Sequence, residues 1–392
     1  MPLGSEAGAV AQSNGDRMKR IVLGLMVMVL ATGTATRVLA AGDQMGFTTY
    51  YFSDDKENTV LTTSFNLAKK IIQQTALLID IELDNVTVPP VSATTGATRP
   101  QRRKEEPFEK SRGQIIVGIE QGLGANTSFA GNFYRSQEVD YLSTSAIGTL
   151  TQEFFQKNLT ITIRGQYNWD QVGEILDDAT LVNRRKTVLT GALVATQLLS
   201  PTTVLDLHYD FVDMKGFLSD PYRRVTLSGA DSASTREVHP DYRVRHAGTA
   251  RLSQMIPSIQ AGLIASYRYY FDTWKVRSST IELRLNKSIV DEFILGVDFR
   301  YYTQTGASFY AKTYVGNSYL GADAFRTADY KLKPFNSNNF GLSLTYLFKG
   351  LAKVNPDLEF LQNSSFEIMY FRYFNTLDFS ANIFQGSLRF SI

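Results

Sequence analysis

Along most of this chain, hydrophobic and polar residues alternate one for one. In "KNLTITIRGQYNW" (157–169), Leu159, Ile161, Ile163, Tyr167 and Trp169 fall on one side. Asn158, Thr160, Thr162, Arg164, Gln166 and Asn168 fall on the other. A strand directs successive side chains to opposite faces, so the stretch carries one apolar and one polar face. "LDLHYDF" opposes Leu205, Leu207, Tyr209 and Phe211 to Asp206, His208 and Asp210, and "IELRLN" opposes Ile281, Leu283 and Leu285 to Glu282, Arg284 and Asn286. "FILGVDFRYY" sets Phe293, Leu295, Val297, Phe299 and Tyr301 against Asp298 and Arg300.

The pattern predicts about fourteen strands, with 12–16 as the range. They fall near 45–52, 59–68, 73–84, 136–152, 157–169, 185–199, 202–212, 242–256, 259–271, 277–289, 292–304, 337–348, 365–374 and 380–392. Several reach ten to fifteen residues, beyond the usual five or six. Their connections alternate in length. Short turns stand at Lys69-Lys70, "FFQKN", "LSPTT", "MIPSI" and "SIVDE"; long loops stand near 85–135, 170–184, 213–241 and 305–336. "KGLAKVNPDLEFLQN" is the one long connection on the short-turn side. Short turns at one end and long loops at the other are the rhythm of an outer-membrane barrel with an even strand count.

Aromatic residues lie beside the long-loop ends: Tyr50, Tyr51, Phe52, Tyr167, Trp169, Tyr209, Phe211, Tyr269, Phe271, Trp274, Tyr301, Tyr373 and Phe374. Amphipathic rings collect at a membrane boundary, so these read as a girdle. No helix or second apolar layer is visible to cover so many apolar faces. A closed barrel in lipid needs no cover and has no open edge. The fold expected is an all-β, transmembrane antiparallel up-and-down barrel, with lipid outside and water inside.

Other features narrow the setting. "MKRIVLGLMVMVLATGTATRVLAAGD" opens with Lys19 and Arg20, continues as a short apolar run and ends at a small-residue "VLA". Residues 18–40 therefore read as a secretory signal peptide, 1–17 as a disordered, over-extended start, and 41–392 as a single barrel. The 392 residues carry a net charge of +2, which gives no pull towards nucleic acid, and no cysteine, which excludes disulfides and thiolate metal sites.

Several blocks resemble a family of bacterial outer-membrane β-barrels catalogued as domain of unknown function 3570. They are "SQEVDYLSTSAIG" from Ser136, "GFLSDPYRRV" from Gly216, "HPDYRVRHAGTARLSQ" from His239, "SYRYYFDTW" from Ser266, "RYYTQTGASFY" from Arg300 and "ADYKLKPFNSNNFGLSLTY" from Ala328. "DNVTVPPVSATTGAT" from Asp84 is similar only loosely. The ordered set implies a barrel in the cell outer membrane of a Gram-negative bacterium. It brings no activity and no catalytic residue, and it points towards periplasmic redox partners. "GSLRFSI" ends in Ile rather than an aromatic; the pattern read by the barrel-assembly machinery is clearer at Gly341, Leu344 and Tyr346.

Alternation places Arg164, Arg243, Arg245, Arg251, Arg268, Arg284, Arg300 and Arg389 on the lumen side. They outnumber Glu138, Asp140, Asp206, Asp210, Glu282 and Asp298. Surplus arginine attracts anions; a mutually paired network that fills the lumen fits the same charges. Asp206, His208 and Asp210 share a strand face and form a candidate metal or general-base ladder, with Asp213 nearby towards the outer rim. Plain polar lining is by far the commoner role for such groups, and no HExxH, GxSxG or phosphate-loop pattern accompanies them. In "SDPYRR" (219–224), Asp220, Tyr222 and Arg223 are candidates for a loop plug. The basic run "RPQRRK" (99–104) reads as a flexible segment able to touch lipopolysaccharide.

The leading expectation is a channel or binding pore for small solutes with an Arg-rich lumen, without enzymatic chemistry, cofactor or metal. The alternative is a plugged barrel scaffolding periplasmic redox or export partners, and third comes an outer-rim hydrolase. Outer-membrane lipid, lipopolysaccharide and the barrel-assembly machinery are the partners expected; nucleic acid is not.

Overall fold

The computed structural model describes residues 42–88, 108–176, 180–221, 223–228, 234–315 and 324–391. The expected signal peptide (18–40), the segment 1–17, the basic run 99–104 and Tyr222 lie outside the described residues.

The chain opens with β1 (Gln44–Asp54), β2 (Thr59–Ile72), β3 (Thr75–Val88), β4 (Phe108–Gly122) and β5 (Thr127–Gln137). It continues through β6 (Tyr141–Phe154), β7 (Leu159–Ile175), β8 (Leu181–Ser200) and β9 (Thr203–Gly216). Two short strands follow, β10 (Arg224–Ser228) and β11 (Ser234–Arg236), before β12 (Tyr242–Ile256), β13 (Ala261–Asp272), β14 (Arg277–Val290) and β15 (Phe293–Gln304). The last elements are β16 (Tyr314–Val315), β17 (Phe335–Leu347), the helix α1 (Lys349–Val354), β18 (Ser365–Asn375) and β19 (Phe379–Ser391).

All but β10, β11 and β16 close into one antiparallel barrel in which each strand pairs with its chain neighbours, β1 sealing against β19. The barrel therefore has sixteen strands, at the upper bound expected from the pattern. The wall strands run from 11 residues in β1 to 20 in β8, long enough to cross a bilayer at a tilt. Closure satisfies every wall strand's backbone groups laterally, which is what a bilayer demands.

Two expectations are corrected. The stretch near 85–135 is not one loop: β4 and β5 occupy most of it. The first short turn is not at Lys69-Lys70, because β2 runs on to Ile72 and the turn falls at Gln73 and Gln74.

The inside-out distribution follows the alternation. Leu263, Tyr267, Leu283, Leu285, Leu295 and Val297 are exposed on the outer face, where lipid replaces water. The largest fully buried side chains are hydroxylic: Thr62, Thr327, Ser64, Ser145, Ser364 and Ser387. At Gly341 an added Cβ would collide with the Phe371 ring and stand 2.9 Å from the Asp298 Cβ, so the ring lies directly over bare backbone.

The long-loop end carries the remaining strands. β10 pairs antiparallel with β11 and parallel with β16, joining the β9–β12 and β15–β17 loops into a small sheet. Loops 213–241 and 305–336 are thus structured where described. With the β13–β14 turn they form a cap with two apolar clusters, one of Val225, Leu227 and Tyr314, the other of Trp274 and Val276 from that turn with Ala307 and Leu332.

Candidate functional site: the lumen wall and its cap

The polar face of the wall is a set of cross-strand contacts. On β14 and β15, Glu282 stands opposite Arg300 and Arg284 opposite Asp298. Arg300 Nε lies 3.1 Å from Glu282, and Arg284 pairs with Asp298. Each strand thus supplies one acid and one base to the pair, so the ladder is locally neutral. Arg268 donates to Asp210 at 2.8 Å, and Arg389 lies 3.7 Å from Glu367. Arg164 donates to Gln166 at 3.2 Å, and Gln166 donates onward to Ser145 and Asn168.

Arg243 is the most enclosed of the wall arginines. Its Nε and Nη2 both donate to Asp272 Oδ2, at 2.9 and 2.5 Å, and its guanidinium stacks 4.1 Å from the Trp274 ring. Tyr270 donates to the same oxygen at 2.6 Å, and Asp272 Oδ1 accepts the Val276 N–H. A buried carboxylate with this many donors makes a rigid unit that fastens the β13–β14 turn to the wall.

Asp206, His208 and Asp210 do share the lumen face of β9, but they do not work as a unit. Asp206 accepts from Thr196 at 2.6 Å and Asp210 is held by Arg268. His208 Nε2 is buried with no hydrogen-bond partner. Asp213 falls on the opposite face, 3.2 Å from Lys215. Among the described residues, no group of three or more His, Asp and Glu side chains converges as a metal would require. Arg251 stands opposite Asp206 across β9 and β12 and makes no ion pair among the described residues; Arg245 behaves likewise, and its Nε is buried without a partner.

Alternation along β4 and the strand ends reveals wall groups that sequence reading missed. Arg112 reaches across to β3, donating to Glu82 and Asp84 at 2.6 Å each, and Gln114 donates to Glu82 at 2.7 Å. Lys110 pairs with Glu138 and, at 2.8 Å, with Asp140. Lys186 donates to the Tyr141 hydroxyl at 2.8 Å, and Tyr141 in turn donates to Asp170 at 2.5 Å. With these carboxylates included, the described residues of the lumen wall show no broad arginine surplus.

The cap rests on this wall. Glu174 at the end of β7 accepts from Arg184 at 2.7 Å and from Arg236 of β11 at 2.8 Å, so one carboxylate ties wall to cap. Inside the cap, Glu237 accepts from the Asp220 N–H and from Thr327, and His239 packs edge-on against Trp274 at 5.1 Å. Arg223 Nη1 lies 2.9 Å from Asp329 and Nη2 3.5 Å from Asp220. Burial opposes the Arg223 charge, but Asp329, Asp220 and Glu237 outweigh it and hold the guanidinium above its usual range. The proposed plug residue Arg223 is therefore turned into the cap, whereas Asp220 and Pro221 face a cavity of ≈ 610 Å³ beneath it. Lys110, Tyr141, Lys186, Met214, Phe217 and Tyr330 also line this space.

The girdle needs a partial correction. Tyr167, Trp169, Tyr209, Tyr269, Phe271 and Phe374 are exposed on the outer face. Trp274 is buried in the cap, Phe52 lines the cavity, and Tyr50 and Tyr373 share the inward parity of their strands. Neighbouring residues of one strand cannot both face lipid, so Tyr50, Tyr51 and Phe52 cannot act together.

Comparison with solved structures finds other barrels. The chain is similar to a mutant of the ferric enterobactin receptor of Pseudomonas aeruginosa, with 12% identity over 85% of this chain and 53% of the receptor, and a TM-score of 0.44. It spans about half of that receptor's length. It is similar to OccAB1 of Acinetobacter baumannii, with 9% identity over 89% of this chain and 96% of that one, and a TM-score of 0.46. It is also similar to a BenF-like porin of Pseudomonas fluorescens, with 9% identity over 90% and 98%, and a TM-score of 0.45. No curated protein matches the chain. The family profile described as "Protein of unknown function (DUF3570)" matches residues 174–391, more than half of the sequence, and this chain belongs to that family.

Proposed function

We propose that the protein is an outer-membrane channel or binding pore for small solutes in a Gram-negative bacterium. One observation carries the reading: sixteen long strands close around a wall of hydroxyl, amide and charged side chains. Barrels of this strand number are wider than their own wall side chains can fill, and the remaining volume holds water. The outward apolar band supports a lipid setting, and the long-loop end, with its cap, is the outer mouth. Lipopolysaccharide around that rim and the barrel-assembly machinery are the partners of this reading; no covalent step and no cofactor enter it.

A second reading has its own support. The cap has apolar clusters of its own and is tied to the wall by Glu174, which favours a closed barrel scaffolding periplasmic partners. Proteoliposome swelling separates the two. Vesicles holding the folded full chain are expected to swell in iso-osmotic small sugars or organic anions, faster than empty vesicles. Swelling no faster than in empty vesicles, with the barrel shown folded by heat-modifiable migration, would leave only the scaffold.

A further inference from the structure

The outer end of the seam between β1 and β19 brings a carboxylate and two phenyl rings together. Phe52 and Asp54 share the inward face of β1. Asp54 stands opposite Ala381 on β19, which puts Phe379, two residues before Ala381, on that face as well. Phe52 and Phe379 stack with ring centroids 6.5 Å apart. The Asp55 N–H donates to the Ser380 carbonyl at 3.0 Å and the Ser380 N–H to the Asp55 carboxylate at 3.1 Å, so the two turns are held to each other. Asp54 itself is buried and is held by neutral donors. Its Oδ1 accepts from the Lys56 and Asn58 N–H groups and from the Asn58 amide, each at 2.9 Å, and its Oδ2 accepts from the Asn58 amide at 2.8 Å. These bonds orient the carboxylate and leave its charge in place. The Lys56 ammonium turns to Asp55 instead, at 3.9 Å, and among the described residues no cation pairs with Asp54.

Asp54, Phe52 and Phe379 all line the cavity under the cap, whose ≈ 610 Å³ lies within the range of small-molecule sites. The other charges on its lining do not offset Asp54. Lys110 is shared by Glu138 and Asp140, Lys186 is paired with Asp170 at 3.4 Å, and Asp220 shares Arg223 with Asp329. Four carboxylates thus line the space against two ammonium groups, and each ammonium is already held by an acid. The rings are divided in the same way. Of the five aromatic side chains on the lining, three already have a cation beside them: Lys186 at 5.0 Å from Tyr141, Arg184 at 5.9 Å from Phe217 and Lys331 at 5.9 Å from Tyr330. Phe52 and Phe379 have none among the described residues, and they are the two rings beside Asp54.

We infer that Asp54, with the Phe52 and Phe379 rings beside it, forms a binding site under the cap for the cationic group of a small organic amine, whose apolar body rests against Val60 and Val86. Those two valines line the cavity and face each other across β2 and β3. This rests on the solute-binding reading and gives it a substrate class. A carboxylate oriented by neutral donors supplies a charge-assisted hydrogen bond to an ammonium. The ring faces attract the same positive charge and favour an organic cation over a bare, strongly hydrated metal ion.

Calorimetric titration of benzylammonium, benzyl alcohol and benzoate into the folded full chain in detergent tests the site without requiring passage. The three probes share one ring and differ in charge. Benzylammonium is expected to bind, benzyl alcohol at least about tenfold more weakly, and benzoate more weakly still. Asp54→Asn keeps an Oδ1 acceptor for the turn and is expected to weaken benzylammonium at least about tenfold while moving benzyl alcohol little. Phe379→Leu keeps apolar bulk but removes a ring face, and weakens benzylammonium a few-fold. Asp357→Asn makes the same change of charge at an exposed position between β17 and β18, at the opposite end of the barrel, and leaves binding unchanged. Equal affinity for benzylammonium and benzyl alcohol, or tighter binding of benzoate, overturns the inference. So does an Asp54→Asn barrel, shown folded by heat-modifiable migration, that binds benzylammonium as the parent does. Vesicles that swell in small sugars while the parent protein binds no benzylammonium would overturn this site and leave solute passage standing. Benzylammonium bound by a folded barrel whose vesicles do not swell would uphold the site and remove passage.

Discussion

The barrel wall and the loop cap bury opposite things. In the wall, Leu283 and Leu295 face outward while Thr62, Ser64 and Ser145 are enclosed. In the cap, Trp274, Val276, Leu332 and Tyr314 are enclosed, and Lys275 and Lys331 stand exposed. The same chain thus follows two burial rules within a few residues of each other, at the point where β13 leaves the wall and Trp274 enters the cap. What decides the rule is the solvent met by each face. Lipid accepts apolar side chains and rejects unsatisfied backbone, so the wall needs closure rather than a core. Water above the rim restores the ordinary hydrophobic drive, so the loops build small cores of their own.

Substitutions at the junction break this division most severely. Asp272→Ala strands the buried Arg243 charge and releases the β13–β14 turn, a loss of about 3–5 kcal/mol, read as a lower urea midpoint of the folded barrel. Trp274→Ala removes the cap's largest buried ring and costs about 3–5 kcal/mol of cap stability. The wall's heat-modifiable migration is expected to persist while protease cuts the 305–334 connection faster. Leu283→Arg places a charge on the lipid face and costs about 2–4 kcal/mol of barrel stability. Were that substitution harmless, the outward apolar band would not be facing lipid. Glu174→Gln loosens the one carboxylate shared by Arg184 and Arg236, for about 1 kcal/mol or less, visible as faster proteolysis of the cap alone.

The smallest effect sharpens the comparison by pH. Burial pushes the Tyr330 phenol from 10.0 up to about 12, with Asp329 adding to the shift. A raised value means that the folded cap favours the neutral phenol. Its contribution is complete below pH 10 and is lost as pH rises through about 12. Cap protection from protease should fall across that window, and Tyr330→Phe should flatten the fall.

Much of the wall was legible in the sequence because membrane strands must alternate over long stretches, and the side-chain period leaves little freedom. β4 and β5 were not. The run Ile115-Ile116-Val117 hides the alternation of β4, and Gly131 interrupts the apolar face of β5. With β4 went Arg112, the cross-strand partner of Glu82 and Asp84 on β3, and without that partner the two carboxylates stayed out of the lumen's charge count. The cap was illegible for a different reason. Its bonds join residues far apart in sequence, such as Glu237 with Thr327, and no local period encodes them. Trp274 illustrates the limit: its position beside a loop end matched the girdle, yet the turn after Asp272 carries it into the cap, over Arg243. Nor could alternation tell paired from unpaired arginines, since Arg243 and Arg245 share a face and differ only in who holds Asp272.

Single-channel recording of the folded full chain in planar bilayers, with reversal potentials in a salt gradient, decides whether the barrel passes solutes. Discrete, stable openings are expected, and they lengthen or enlarge when Trp274→Ala unsettles the cap. Bilayers that stay silent for both the parent and the Trp274→Ala barrel, each verified as folded, would contradict it.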